Sequence, residues 1–208
     1  MSELLFYIES SVERELKIKR SRFICRLVPA LTIQEAKQVI TETAKQHKQA
    51  NHNCWAYIIG KQGETFHSSD AGEPAGTAGK PMLNVIQRYK LTNIAAVVTR
   101  YFGGVKLGVR GLIDAYGESV DVAVQKAKLI PLIARGYFVL ETDYANHAPL
   151  TYKLEQLGCL KTDESFTATV ETTWEVPMSE AEAVWFFIEA QTAAGHLKIK
   201  KPILERMG

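Results

Sequence analysis

The sequence predicts an α+β protein of two domains, residues 1–135 and 136–208, and three observations point to it. Charge divides along the chain: residues 1–135 hold 19 Lys+Arg against 12 Asp+Glu, +7, and residues 136–208 hold 6 against 11, −5. Glycine divides as well, with 10 of the 14 falling between Gly60 and Gly117. The hydrophobic pattern changes too, from an irregular mixture to a βαββαβ order over the last ~70 residues, the ferredoxin-like arrangement. The net charge of +2 is therefore an average over two opposed halves.

Each element has a local reason. Residues 4–10, 12–18 and 21–28 are short runs rich in Ile, Val, Phe and Tyr with polar residues between, which predicts three strands. Thr32 and Glu35 form a capping-box pair, and Ile33, Ala36, Val39, Ile40 and Ala44 recur at helical spacing behind it. Residues 53–60 are apolar on both faces, which predicts a central strand. Residues 68–81 have no hydrophobic period and predict a long loop, with a short helix starting near Pro81. Residues 94–101 predict a buried strand that runs into a glycine-rich segment, 103–111. The longest helix follows, its apolar stripe set by Val109, Leu112, Ile113, Tyr116, Val120, Ala123, Val124 and Ala127.

The second domain reads more regularly. Residues 137–142 predict a strand, 146–157 a helix closed by Gly158, then 159–162 and 167–176 two strands. Ser179 and Glu182 offer a second capping box for a helix reaching Gly195, and 197–204 a final strand.

Composition excludes several classes. With 46% hydrophobic and 23% charged residues the chain is too apolar for disorder. Its strongly apolar runs, such as residues 94–98, fall far short of the roughly 20 residues a bilayer span requires, so no membrane partner is expected. Residues 1–7 lack a basic n-region, and Cys25, Cys54 and Cys159 are isolated and odd in number. A reduced, cytoplasmic protein is expected.

Several chemical motifs fail on inspection. Gly79-Lys80 resembles the end of a nucleotide-binding P-loop. However, Pro74 stands where its first glycine belongs, and Pro81 offers no magnesium-ligating hydroxyl. Residues 103–111 lack the G-x-G-x-x-G spacing, although glycines, Lys106 and Arg110 at a helix start suit an anion as well as tight backbone packing. No metal-ligand spacing is present, and neither a metal nor a cofactor is expected. His52 and Cys54 lie two apart on a strand and share a face, near His67 and Asp70, which leaves a hydrolase open. Lys17, Lys19, Arg20, Arg22 and Arg26 form a basic strip over two strands, suited to phosphates or to solvent.

Residues 69–81, S-D-A-G-E-P-A-G-T-A-G-K-P, and 97–116, V-V-T-R-Y-F-G-G-V-K-L-G-V-R-G-L-I-D-A-Y, closely resemble the two signature segments of the IMPACT family, in its bacterial YigZ-like branch. Residues 19–23 and 52–57 resemble shorter signatures of that family. The resemblance implies an N-terminal sandwich like the second domain of a small-subunit ribosomal protein. It also implies a ferredoxin-like second domain similar to the last domain of elongation factor G. Eukaryotic members are known as translation regulators that bind a protein partner of a stress kinase, and for bacterial members a nucleic-acid or ribosome association is proposed. By position, Ser69, Asp70, Glu73, Gly76, Thr77, Gly79, Arg100, Gly103, Gly104 and Gly108 are the family-motif residues. Ala71 stands where the family usually has a second acid, and Arg110 where it has a glycine.

The functional expectation is a binding protein rather than an enzyme, with no catalytic residues assigned. Lys19, Arg20, Arg22, Lys80, Arg100, Lys106 and Arg110 would meet the phosphates of RNA, or contact a ribosome-associated partner, and the 69–81 loop would present Asp70, Glu73 and Thr77 to a ligand. The alternatives are a hydrolase built on His52, Cys54, His67 and the Asp70 loop, and an interaction module whose acidic second domain binds a basic partner.

Overall fold

The structure, a computed structural model, describes residues 4–205. In chain order the elements are β1 (Phe6–Ile8), β2 (Val12–Ile18), β3 (Ser21–Pro29), α1 (Ile33–Gln46), β4 (His52–Ile59), β5 (Thr65–Ser69), α2 (Gly79–Arg88), β6 (Ile94–Tyr101), α3 (Gly108–Val124), β7 (Leu129–Pro131), β8 (Arg135–Thr142), α4 (Tyr144–Gln156), β9 (Leu160–Phe166), β10 (Val170–Pro177), α5 (Ala181–Ala193) and β11 (Leu197–Glu205). Two compact units result, residues 1–132 and 133–208. The fold is mixed α+β throughout.

In the first unit, β2-β3-β6-β4-β5 form one antiparallel sheet in that order. β6 is the middle strand and is buried along all but its last residue, which its Ala-Val run permits on both faces. One face carries Phe23, Cys25, Leu27, Cys54, Ala56, Ile58, Ala96 and Val98, packed against Met82 and Ile86 of α2 and Leu112, Tyr116 and Val120 of α3. The other face packs Tyr57, Ile59 and Ala95 on Ala36, Val39 and Ile40 of α1. The capping box of α1 forms: Thr32 accepts from the Glu35 N–H at 3.1 Å, while the Glu35 carboxylate reaches back to the Leu31 N–H at 2.7 Å.

Four readings of this unit change. The first predicted strand is short and leaves the main sheet, pairing instead with β7. Ser68 and Ser69 belong to the edge strand β5, whose polar, exposed run carries no alternating pattern. α2 opens at Gly79 rather than near Pro81, which sits within the first turn, where no N–H is needed. Val109 lies off the buried stripe of α3 and is exposed.

The second unit is a four-stranded antiparallel sheet in the order β11-β8-β10-β9, the ferredoxin-like topology. Phe138, Leu140, Trp174 and Val176 pack there against Leu150 and Leu154 of α4 and Val184 and Ile188 of α5. Asp143, not the residues near Asn146, opens α4: its carboxylate accepts from the Asn146 N–H at 2.7 Å. α4 closes with the Gly158 N–H on the Glu155 carbonyl and the Cys159 N–H on that of Leu154. The second capping box does not form. The turn from Pro177 to Glu180 runs straight into α5, and the Ser179 hydroxyl bonds the Glu180 carboxylate instead of a helix N–H.

Candidate functional site

Strand register decides which loops meet. Arg22 is opposite Tyr101, His52 is opposite Arg100, and Ser69 pairs with Trp55, near the start of β4. The β2–β3 turn, the 70–78 loop and the 102–107 loop therefore lie at one end of the five-stranded sheet. α2 and α3 start from those two loops, so both helix N-termini lie at the same end. Both glycine-rich segments are thus brought together by topology.

Lys19 and Arg20 are the two residues of the tight turn closing β2 and β3, with Ile18 opposite Ser21. Both have positive φ, 43° and 70°, a conformation that hairpins of this length favour but long side chains resist. Gly103 packs directly on this turn. A Cβ there would run into the carbonyl of Arg20, and the Gly103 N–H donates to the Ser21 hydroxyl at 3.2 Å. Lys19, Arg20, Gly104, Lys106, Gly108 and Arg110 are exposed around this contact, with Arg110 paired to Asp114 at 3.2 Å.

The other loop is closed on itself. Asp70 Oδ1 accepts from the N–H groups of Ala78 and Gly79, both at 2.9 Å, and Oδ2 from that of Gly76 at 2.8 Å. Burial works against the charged form, but these three donors outweigh it and hold the Asp70 carboxyl below its ordinary value. Ser69 accepts from the Ala71 N–H at 3.2 Å. Gly79 is required for the close approach, since a Cβ would lie 2.7 Å from the Ser69 nitrogen. Thr77 is buried and donates to the Pro74 carbonyl at 2.7 Å. Lys80, the second residue of α2, is exposed.

Behind the loop, Glu73 anchors a buried network. Its Oε1 accepts from Arg100 at 2.6 Å and from the Tyr116 hydroxyl at 2.8 Å, and its Oε2 lies 3.9 Å from His52 Nε2. The His52 Nδ1 lies 3.0 Å from the Ala71 carbonyl. The Arg100 guanidinium lies over the rings of Phe23 and Phe102, 5.4 Å from each centroid. The Arg100 Nε has no hydrogen-bond partner among the described residues. Burial, with Cys54 and Glu73 beside it, pushes the Tyr116 hydroxyl well above its ordinary range.

This geometry corrects several expectations. Arg100 and Glu73 are buried and bonded to each other, Thr77 is buried and bonded to the Pro74 carbonyl, and Asp70 accepts from its own loop backbone, so these side chains face inward or are held by the loop. The basic strip is broken. Arg22 points to the face covered by α1, over the Tyr101 ring, and is held by Glu15 through two bonds of 3.0 and 2.8 Å. That bond keeps the Glu15 carboxyl below its usual range. Arg26 bonds Gln46 at 3.2 Å. The hydrolase constellation is divided: His67 lies with Tyr57 on the α1 side of the sheet, opposite His52 and Cys54. Cys54 is buried, donates to the Asp70 carbonyl at 2.9 Å, and burial pushes its thiol up to about 12, which leaves no thiolate at neutral pH. No group of three or more His, Cys, Asp or Glu side chains placed to hold a metal occurs among the described residues, and none of their helices is long and apolar enough to cross a membrane.

Two participants escaped the sequence reading. Tyr116 falls in the apolar stripe of α3 and at the end of the 97–116 segment, but neither shows its bond to Glu73, although a buried tyrosine needs a partner for its hydroxyl. Phe102 sits between the motif residues and is 44% exposed, and nothing in its spacing sets it apart.

Residues 19–124 match the Impact N-terminal domain, and residues 140–184 match a domain of unknown function, DUF1949. The chain is 38% identical over 178 residues to IMPACT family member YvyE of Bacillus subtilis, covering 86% of this chain and 82% of that one. It is 41% identical over 112 residues to IMPACT family member YigZ of Escherichia coli, covering 53% of this chain and 55% of that one. A crystal structure of a hypothetical protein, 29% identical, superposes with a TM-score of 0.63 over 98% of this chain and 99% of that one.

Proposed function

The chain belongs to the IMPACT family, and we propose that it binds RNA, or the RNA-bearing face of a ribosome-associated partner, through the basic end of its N-terminal sheet. A role in regulating translation is the accompanying reading, carried by the family resemblance. The observation behind the binding reading is the convergence of the β2–β3 turn, the 102–107 loop and two helix N-termini at one sheet end, with Lys19, Arg20, Lys80, Lys106 and Arg110 exposed there. Such a surface neutralises phosphates without reading sequence. Gly103, Gly104 and Gly108 keep the backbone low between the cations. Ser69, Asp70, Glu73, Gly76, Thr77, Gly79 and Arg100 shape the ground beneath.

The first test is the salt dependence of RNA affinity for the full chain. The logarithm of affinity should fall linearly with the logarithm of salt concentration, and Lys19→Gln or Lys106→Gln should each flatten the slope by roughly 0.7–0.9. Affinity indifferent to salt would end the reading.

A further inference from the structure

The surface around Gly103 is not simply cationic. Phe102, Val105 and Val109 are 44%, 37% and 61% exposed on eight consecutive residues, and Lys19, Arg20, Lys106 and Arg110 are exposed beside them. Exposed apolar side chains are ordinary singly; two in the 102–107 loop and a third in the first turn of α3, with cations beside them, suit a partner that is both apolar and anionic. The Phe102 ring is braced from within, because the Arg100 guanidinium lies over it and is itself fixed by Glu73. A braced aromatic ring beside cations matches a nucleotide whose base face is open and whose phosphate is near.

Resting on the binding reading above, we propose that the 102–109 segment, the loop together with the start of α3, is a stacking platform for unpaired nucleotides, with Phe102 taking the face of a base and Lys19, Arg20 and Lys106 taking the flanking phosphates. Base faces are hidden inside a duplex, so the platform selects single-stranded RNA. Stacking tolerates any base, so the site carries little sequence preference. Val105 and Val109 extend the apolar floor to the ribose or to a second base.

The test uses the full chain and a fluorescein-labelled, unstructured RNA of about ten nucleotides, with a duplex of equal length in parallel. Phe102→Ala should weaken single-strand binding about tenfold and leave the salt slope unchanged, while Phe102→Tyr should bind within about twofold of the parent. Lys106→Gln should flatten the slope instead. The duplex should bind more weakly than the single strand and be indifferent to Phe102→Ala. If Phe102→Ala leaves single-strand affinity intact while Lys106→Gln still flattens the slope, the platform is refuted and the basic surface stands. If no salt-dependent RNA binding occurs, both fall. If Phe102→Ala instead abolishes binding to phosphatidylserine vesicles and not to RNA, the loop is a lipid contact and the proposal is overturned.

Discussion

Asp70 fills, with its own carboxylate, the cradle that three backbone N–H groups make at the start of α2. Its folded pKa is depressed, so its contribution to stability is fully present above the carboxyl's unfolded value and disappears as pH falls through the folded one. Asp70→Asn should cost about 1–2 kcal/mol near neutral pH, measured by urea denaturation. The gap from the parent should narrow as the pH falls below the ordinary carboxyl range; an undiminished gap in acid would show that charge plays no part. None of this was legible as a helix cap, because capping rules look within one turn, and Asp70 reaches forward six to nine residues. Glu73, Arg100 and Tyr116 raise the same difficulty. They are 27 and 43 positions apart in their bonds, so the sequence displayed the residues without their pairing.

The β2–β3 turn is the element where local preference and placement disagree. Lys19 and Arg20 occupy left-handed backbone positions that Asn-Gly fills at little cost. Replacing them together, Lys19→Asn with Arg20→Gly, should stabilise the protein by about 1 kcal/mol in thermal or urea unfolding. The same pair should weaken RNA binding, so that stability and affinity move in opposite directions. A variant neither more stable nor poorer at binding would refute the idea that strain is kept here for its charge. Strand and helix periods were readable where one face is buried, as in β3, α1 and α3, and β6, buried on both faces, showed as a continuous apolar run. They were unreadable in β5, an exposed edge with polar residues on both sides, and at Ser179, where a turn overrides the capping pair.

Across the whole chain, the two units have separate cores. A broad-specificity protease should therefore cut first between Pro131 and Arg135, where Ile133 is exposed between β7 and β8, and leave two fragments that keep their secondary structure by circular dichroism. Early cleavage inside either sheet would contradict that division. The units also differ in surface. The sheet face of the second unit turned from α4 and α5 carries Glu141, Glu171 and Glu175, with Lys198 and Lys200 bonded to Glu141. The glutamates of that face repel phosphates, which accords with the proposal that RNA meets the first unit. RNA is proposed to meet the sheet end built by the β2–β3 turn and the 102–110 segment. Amide chemical shifts of the full chain, followed while unstructured RNA is added, test it residue by residue. The predicted result is perturbation concentrated at Lys19, Arg20 and Ser21 and from Phe102 to Gly111, with residues 133–205 quiet. Perturbation confined to the second unit, or to the α1 face around Arg22 and Arg26, would contradict it.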